Sequence, residues 1–471
     1  MLAHVKPPAV PAGNAPVTTI DPRSTASRCS RLYMSCRIAH FLYHVRMPLT
    51  DIDRRLCELI DARADQMLAQ LVEHVAIPTG HNYTTGLDQY RELLIERLSA
   101  LGAVIEHLPG QPRSDWLEQP TAGSATPASQ ASIPPVVLAK HHSGTSPSIL
   151  IVGHLDTVHD PHGSFQKLNV DRSGGIAVGP GCVDMKGGVL IAITALEVLA
   201  EAGVDLNWTV LLNSDEEMGS FHSDQALREA ASGHDLGIVL EPALPNGALA
   251  IERMGSGQFK IEVHGRSAHV GRAFADGESA VNKLAQIITA LSKLADPDHG
   301  MIVNIGPLQG GAATNIVADY AACWGNVRFC DAQKADQLAV AIDAQSTSAD
   351  AMPRVIVHRN WNRPAKPQTE AVRRFAQAAA ATADDLHQSL PFASTGGVCD
   401  GNILQAVGLP TLDTLGVRGG NLHRPDEFVE LASLVQRCQL LAVLLGRIAD
   451  GRVKIPAAQG LRTAAPDPPR R

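Results

Sequence analysis

Aromatic side chains and paired cysteines are scarce in this sequence. Phe, Trp and Tyr make up only 4% of its 471 residues, so the composition does not favour stacking on bases or sugars. None of the eight cysteines forms a C-x-x-C pair, and scattered cysteines in a long chain are typical of reduced core residues. The remaining composition is that of a globular enzyme and excludes a collagen, a coiled coil or a fully disordered chain.

The sequence also lacks a basic excess and a long apolar run. Its formal net charge is −8, and the first 46 residues carry six basic side chains against one acidic, so the remainder is more acidic still. An acidic body argues against a nucleic-acid partner. No apolar run approaches the roughly 18 residues of a membrane span, and the apolar piece at residues 38–45 is too short for a convincing signal peptide. We therefore expect a cytoplasmic protein that binds neither nucleic acid nor membrane.

Several catalytic signatures are missing. The chain contains no H-E-x-x-H, no G-x-S-x-G and no G-x-x-x-x-G-K-[ST] motif. The pair Gly179 and Gly181 does not open a dinucleotide-binding motif, because Asp184 occupies the third glycine position. The sequence thus does not support a metalloprotease of the H-E-x-x-H type, a serine hydrolase with a nucleophile elbow or a P-loop nucleotidase.

The length predicts more than one domain, since a single core rarely exceeds about 250–300 residues. Residues 149–152, 208–212 and 236–240 are apolar strands that alternate with a helix at 187–202, which favours a mainly parallel sheet covered on both faces. From residue 259 the order of elements becomes β-α-β-β-α-β, the ferredoxin-like pattern. We predict a disordered extension at residues 1–46 and a disordered tail at residues 456–471. Between them, a larger domain is formed by residues 47–253 and 364–455, and a smaller domain, residues 254–363, is inserted into it.

Two segments show no periodic pattern of helices or strands. Residues 1–46 admit three interpretations: a disordered extension, a chain whose true start is Met47, or a targeting peptide. Residues 119–135 are rich in Ser, Ala, Thr and Pro without periodicity and are predicted to be a long surface loop.

Three polar clusters directly follow predicted strands, a fourth precedes the helix at 187–202, and a fifth follows the apolar run at 409–415. Ligands of open α/β sheets bind beyond the carboxyl ends of strands, so these clusters are expected to converge on one edge. Imidazole and carboxylate together suit zinc or a similar divalent ion, and a further carboxylate is needed as a base. Any one cluster alone fits a solvated turn or a satisfied core residue; the recurrence of such clusters favours a metal centre. The clusters contain His154 with Asp156, Asp184 among glycines, Glu216 with Glu217, Glu241, and His423.

On these residues the sequence resembles the co-catalytic zinc peptidases and deacylases, the family of carboxypeptidase G, acetylornithine deacetylase, succinyl-diaminopimelate desuccinylase and aminoacylase. The resemblance covers roughly residues 50–450. It implies a di-zinc catalytic domain with an inserted lid domain that forms a homodimer. It further implies two Zn²⁺ per chain, with Co²⁺ or Mn²⁺ as possible substitutes. Asp184 would bridge the ions, His154 and Glu241 would complete one site, and Glu217 and His423 the other.

The resemblance also implies the catalytic residues. Glu216 would be the general base and Asp156 would orient His154. The peptide bond after Asp184 is expected to be cis. His269 would reach the active site of the partner subunit and stabilise the oxyanion, assisted by Asn315.

Substrate contacts complete what the resemblance implies. Arg328 and Arg363 would hold a substrate carboxylate, for which a guanidinium is suited, and Gly397 would offer backbone donors. We therefore predict a glutamate carboxypeptidase-like enzyme that hydrolyses an amide or peptide bond and releases a C-terminal, acidic amino acid. The alternatives are an N-acyl-amino-acid deacylase of the acetylornithine or succinyl-diaminopimelate type, a non-catalytic metal-binding homologue, and a purely structural zinc protein. The retained Glu216 and the carboxylate-rich ligand set argue against the last two.

Overall fold

A computed structural model describes residues 48–80, 82–117, 133–144 and 147–454. The predictions of a disordered extension at 1–46 and a disordered tail at 456–471 lie outside the described residues. Most of the predicted loop at 119–135 lies outside them as well; the described part, 133–135, has no regular structure.

The described chain is a mixed α/β fold in which helices and strands alternate through most of the sequence. The helices are α1 (Asp51–Asp61), α2 (Ala64–Ala76), α3 (Thr84–Ala100), α4 (Gly187–Glu201), α5 (Asp224–Ser232), α6 (Val270–Ala273), α7 (Ala280–Ser292), α8 (Ala332–Asp343), α9 (Glu370–Asp385), α10 (Asp400–Ala406) and α11 (Leu431–Ala449). The strands are β1 (Val104–Leu108), β2 (Val136–His141), β3 (Ser148–His154), β4 (Asn169–Asp171), β5 (Ile176–Val178), β6 (Asn207–Asn213), β7 (Leu236–Val239), β8 (Leu249–Arg253), β9 (Gly255–His264), β10 (Met301–Gly310), β11 (Tyr320–Phe329), β12 (Arg354–Arg363), β13 (Phe392–Thr395), β14 (Thr411–Leu412), β15 (Gly419–Gly420) and β16 (Phe428–Glu430).

The largest sheet has six strands in the order β1-β2-β6-β3-β7-β14. Strands β6, β3, β7 and β14 run parallel, whereas β1 and β2 pair antiparallel at one edge. The sheet is therefore mixed, with its parallel part where the sequence analysis predicted it. The antiparallel edge was missed because β1, with the sequence V-I-E-H-L, has no alternation of apolar and polar residues and leaves three of its five side chains exposed.

Apolar side chains cover both faces of this sheet. Helix α4 is apolar around nearly its whole circumference and is buried along its length, as expected of a central helix. It packs against α11 in the main core, and a smaller cluster that includes Leu227 of α5 and Ile403 of α10 covers the other face. The six cysteines in the described part of the chain are all free, and four of them are buried.

Among the described residues, α11 is long and apolar enough to cross a membrane, judged only by length and composition. This corrects the expectation that no apolar run approaches a membrane span. The helix was missed because Arg437 and Arg447 interrupt its apolar sequence. Because 72% of its most apolar 18-residue stretch is buried inside the protein, α11 has the surroundings of a core helix.

A second sheet occupies residues 255–363 and has its own core. Its strands lie in the order β10-β11-β9-β12 and all pair antiparallel. Helices α7 and α8 cover one face, and their apolar side chains form a cluster with those of β9 and β11. The element order is β9-α7-β10-β11-α8-β12, with the short helix α6 inserted after β9.

Candidate metal centre

Three adjacent parallel strands carry polar residues to one edge of the large sheet. Strand β3 ends at His154, β6 ends shortly before Glu216 and Glu217, and β7 ends shortly before Glu241. The order β6-β3-β7 makes these ends neighbours. The convergence expected from the sequence is present in the structure.

Asp184 lies between two histidines, and its two carboxylate oxygens face different rings. Oδ1 is 3.1 Å from His154 Nε2, and Oδ2 is 3.6 Å from His423 Nε2. His423 Nε2 is also 3.3 Å from Glu217 Oε2, and His154 Nε2 is 4.0 Å from Glu241 Oε1. The five residues predicted as metal ligands therefore form one cluster, which we call the acidic cluster.

The acidic cluster fits divalent cations. Two groups of side chains hold their donor atoms within 4.8 Å of one another: His154 with Glu216 and Glu241, and His154 with Asp184 and Glu217. Within the described structure, buried Glu241 Oε1 has no hydrogen-bond partner, and a bound cation would satisfy it. Glu216 is close enough to count as a donor, so the geometry alone does not separate a ligand from a base.

Burial and mutual repulsion dominate the electrostatics of the acidic cluster. Burial raises the pKa of Glu216 to about 8, against the lowering effect of the Arg363 charge. Burial also raises the pKa of Glu241 well above its usual range, and the charges of Glu216 and Asp184 raise it further. The carboxylates of Asp184 and Glu217 raise the pKa of His423 to about 10. So many buried carboxylates need compensating positive charge.

Asp156 organises the centre in a way that the sequence did not suggest. Its main-chain carbonyl, 2.9 Å from His154 Nδ1, orients the ring, whereas its carboxylate Oδ1 is 3.6 Å away, too far for a hydrogen bond. The carboxylate instead accepts from the backbone N–H groups of Glu216 (3.2 Å) and Glu217 (3.0 Å). One residue thus fixes both the imidazole and the turn that carries the two glutamates.

The turn before α4 positions Asp184. Gly181 has a φ of 64°, in the left-handed region, and a Cβ there would lie 2.5 Å from Thr157 Cγ2, so the turn requires glycine. The Asp184–Met185 peptide bond is cis, as the resemblance implies.

The two predicted substrate arginines lie on the two strands that flank β9 and differ in their contacts. Both pair with Ser256 of β9, Arg328 from β11 and Arg363 from β12. Arg363 Nη2 lies 2.7 Å from Glu216 Oε1 and also donates to the Glu216 carbonyl, so this arginine is engaged by the predicted base. Arg328 Nη1 is buried and has no hydrogen-bond partner among the described residues. Burial and the charge of Arg363 lower the pKa of Arg328.

Three predicted residues lie apart from the acidic cluster in the single chain. His269 is exposed at the start of α6, where its Nδ1 accepts from Gly271 N at 3.1 Å. Asn315 is exposed, and its carbonyl accepts from Val270 N. The Gly397 carbonyl accepts from Arg253 Nη1 at 3.1 Å. In the part of the chain that is described, no hydrogen bond or ion pair joins these residues to the acidic cluster.

Two buried carboxylates beside the centre were not singled out by the sequence analysis. Asp400 accepts from Asn213 Nδ2 at 2.7 Å and from Ser220 Oγ at 2.5 Å, and lies 3.8 Å from Arg363. Glu427 accepts backbone hydrogen bonds from the turn that carries Asp184. No short-range pattern marks either one, although Glu427 stands only four residues after His423.

The sequence profile of the peptidase family M20/M25/M40 matches residues 150–447. Carboxypeptidase G2 of Pseudomonas sp. (strain RS-16) is 27% identical over 313 residues, which cover 65% of this chain and 75% of that protein. Succinyl-diaminopimelate desuccinylase 2 of Shewanella loihica is 26% identical, covering 64% of this chain and 85% of that protein.

Solved structures share the fold at low identity. A tripeptidase from Staphylococcus aureus superposes with a TM-score of 0.65 at 21% identity, covering 82% of this chain and 99% of that one. An M20 family metallo-carboxypeptidase from Sulfolobus solfataricus gives a TM-score of 0.61 at 16% identity, covering 82% and 99%.

Proposed function

Because the chain belongs to peptidase family M20/M25/M40, we propose that it is a metal-dependent hydrolase that cleaves an amide or peptide bond and releases a C-terminal, acidic amino acid. The observation that carries this proposal is the position of Asp184 between buried His154 and exposed His423, beside the buried carboxylates of Glu216 and Glu241. A structural zinc site would favour cysteine and histidine ligands instead.

The acidic cluster would hold two ions, Zn²⁺ by preference, with Co²⁺ or Mn²⁺ as substitutes. Asp184 would be shared, with His154 and Glu241 on one side and Glu217 and His423 on the other. When bound, a metal pair polarises the substrate carbonyl and lowers the pKa of water.

Glu216 is the proposed general base. It would take a proton from the attacking water and return it to the leaving amine, so that no charged amide anion has to depart. The contact with Arg363 fixes one carboxylate oxygen, and the backbone of Glu216 is fixed by Asp156. The base is therefore positioned from two sides.

Arg328 is the proposed anchor for the substrate's carboxylate, since its Nη1 has no partner among the described residues and its neighbour Arg363 is already paired. A deacylase of N-acyl amino acids is the second candidate function, because the relatives include a succinyl-diaminopimelate desuccinylase. Both reactions use the same centre and differ in the groups that Arg328 and Gly397 would contact.

The sheet of residues 254–363 would act as a lid that joins two chains into a homodimer in the cytoplasm. Strand β10 is at the edge of that sheet and exposes Ile302 and Leu308, as expected of an edge that is covered by another chain. The exposed His269, with Asn315, would then complete the active site of the other chain by stabilising the oxyanion.

The test is hydrolysis of four substrates by the metal-loaded protein: an N-acyl-glutamate, a folyl-type glutamate conjugate, N-acetylornithine and N-succinyl-diaminopimelate. We expect release of glutamate to dominate. A preference for a basic or diamino acid would replace the carboxypeptidase with the deacylase. A protein that binds metal and hydrolyses none of the four would contradict both substrate assignments.

A further inference from the structure

The Glu427 side chain is enclosed by the turn that presents Asp184. It is 1% exposed. Its Oε2 accepts from Gly181 N at 3.1 Å, and its Oε1 accepts from Val183 N at 3.0 Å and from Asp184 N at 3.2 Å. One carboxylate thus binds three backbone N–H groups of a four-residue turn, including the amide of Asp184 itself.

We propose that Glu427 is a positioning residue that sets the affinity of the acidic cluster for its metal ions by fixing the main chain of Asp184. The inference rests on the proposed function, since it assumes that the acidic cluster binds metal. Glu427 belongs to neither group of side chains that could hold an ion, so its action on the metal is indirect.

His159 fixes the Glu427 carboxylate from the other side. Its Nε2 lies 2.6 Å from Glu427 Oε2, the oxygen that also accepts from Gly181. Since both carboxylate oxygens are engaged, rotation of the group would break several hydrogen bonds at once. The orientation of the carboxylate is therefore held by the side chain of His159 as well as by the turn.

Glu427 also ties two ligand-bearing segments together. It stands four residues after His423, and its own carbonyl accepts from Gly179 N at 3.0 Å. The next residue, Phe428, pairs with Val178 where β16 meets β5. The loop that presents His423 and the turn that presents Asp184 are consequently joined by both backbone and side chain, which fixes the separation of the two ligands.

A glutamine could not replace this carboxylate. It has one acceptor oxygen, and its NH₂ group would face a backbone N–H that is also a donor. Glu427→Gln keeps the size of the side chain and removes the second acceptor, so it tests the hydrogen bonds with little change in packing.

The experiment measures the affinity of Zn²⁺ for the full chain by competition with a chelator, together with the unfolding temperature. We expect Glu427→Gln to weaken the binding of at least one Zn²⁺ ion by about 10- to 100-fold, because residues that orient metal ligands have effects of that size. Hydrolysis by this variant should recover when zinc is added in excess. His159→Leu should weaken binding in the same direction and by less.

Asp53→Asn is the matched control. Asp53 is also a fully buried carboxylate, and it accepts from Arg447 and Arg452. Its loss should lower the unfolding temperature and leave zinc affinity within about twofold of wild type. Equal zinc affinity in wild type and Glu427→Gln would overturn the inference, and so would a loss of zinc affinity in Asp53→Asn as large as that in Glu427→Gln. If Glu427→Gln does not fold, the zinc affinity of His159→Leu is compared with wild type and Asp53→Asn instead. Wild-type protein that binds no zinc would instead refute the proposed function.

Discussion

Asp184 gives one carboxylate oxygen to each of two imidazoles, and the surrounding residues hold that arrangement in place. Burial would raise the pKa of Asp184, but the hydrogen bond from His154 and the positive charges of His154 and His423 outweigh it and hold the pKa below its usual value. Such a carboxylate stays ionised in an environment where Glu216 and Glu241 are pushed toward protonation.

Glu216→Gln tests the base directly. General-base catalysis contributes about 10²- to 10⁴-fold, so kcat should fall by that factor while the metal content stays unchanged. Steady-state kinetics and metal analysis of the same preparation measure both. Glu229→Gln, an exposed glutamate on α5, is the control and should keep wild-type kcat. A kcat within about tenfold of wild type would remove Glu216 from its role.

Arg328→Met tests the carboxylate anchor. Hydrogen bonds to charged groups contribute about 1.5–3 kcal/mol, so KM for an N-acyl-glutamate should rise about 10- to 100-fold with a smaller change in kcat. The exposed Arg354, replaced by Met, should leave KM unchanged. If KM for the free acid and for its α-amide responded equally to Arg328→Met, the arginine would not bind that carboxylate.

At the scale of elements, the strands that carry ligands were the easiest to predict. The predicted strands at residues 149–152 and 208–212 lie inside β3 and β6, and the one at 236–240 extends one residue beyond β7. The short strands β13 to β16 were not predicted, because two to four residues hold no periodicity. Glu427 was missed for a related reason: its partners are backbone amides about 245 residues earlier, and no sequence pattern marks such a contact.

Helices α1 and α11 are joined by a buried ion cluster. Asp53 accepts from Arg447 Nη2 at 3.2 Å and from Arg452 Nη1 at 2.7 Å. Burial raises the pKa of Asp53, but the hydrogen bonds from Arg452 and Thr50 and the charge of Arg447 lower it by more, so it lies below the usual value. The ionised form therefore stabilises the fold, and this contribution is lost as pH falls below about 4.

Asp53→Asn should lower the free energy of unfolding at pH 7 by about 3 kcal/mol, because it removes a counter-charge from the fully buried guanidinium of Arg447. Chemical denaturation at pH 7 and at pH 3.5 measures the effect, and the difference between wild type and variant should shrink at the lower pH. Asp51→Asn, an exposed change on the same helix, should stay within about 0.5 kcal/mol. An undiminished difference at low pH would contradict the assigned charge state.

At the scale of the whole molecule, the single chain leaves part of the predicted site incomplete. His269 and Asn315 are exposed and separate from the acidic cluster in the described residues, whereas every predicted metal ligand is in it. His154, Glu217 and Glu241 could be predicted as a group because they follow predicted strands, whereas Asp184 lies in the glycine-rich turn before α4. The proposed role of His269 and Asn315 depends on a second chain, so it stays a prediction together with the homodimer. The cytoplasmic location also stays a prediction.

Leu308→Lys tests the homodimer. The side chain is 61% exposed on edge strand β10, and a charge there should prevent pairing with another chain. Light scattering should show a monomer, and kcat should fall about 10²- to 10³-fold, as on removal of an oxyanion donor. Val104→Lys, a similarly exposed change on edge strand β1, should preserve both mass and kcat. A monomer with wild-type kcat would refute the role of His269 between chains.

The central claim is that the acidic cluster is a two-metal catalytic centre. It is tested most directly by removing metal with a chelator and following the hydrolysis of N-acyl-glutamate as Zn²⁺ is added back to the folded protein. We predict that activity is lost on removal and returns to its full value at two ions per chain. Activity that survives complete removal of metal, or that does not return when two ions are bound, would contradict the claim.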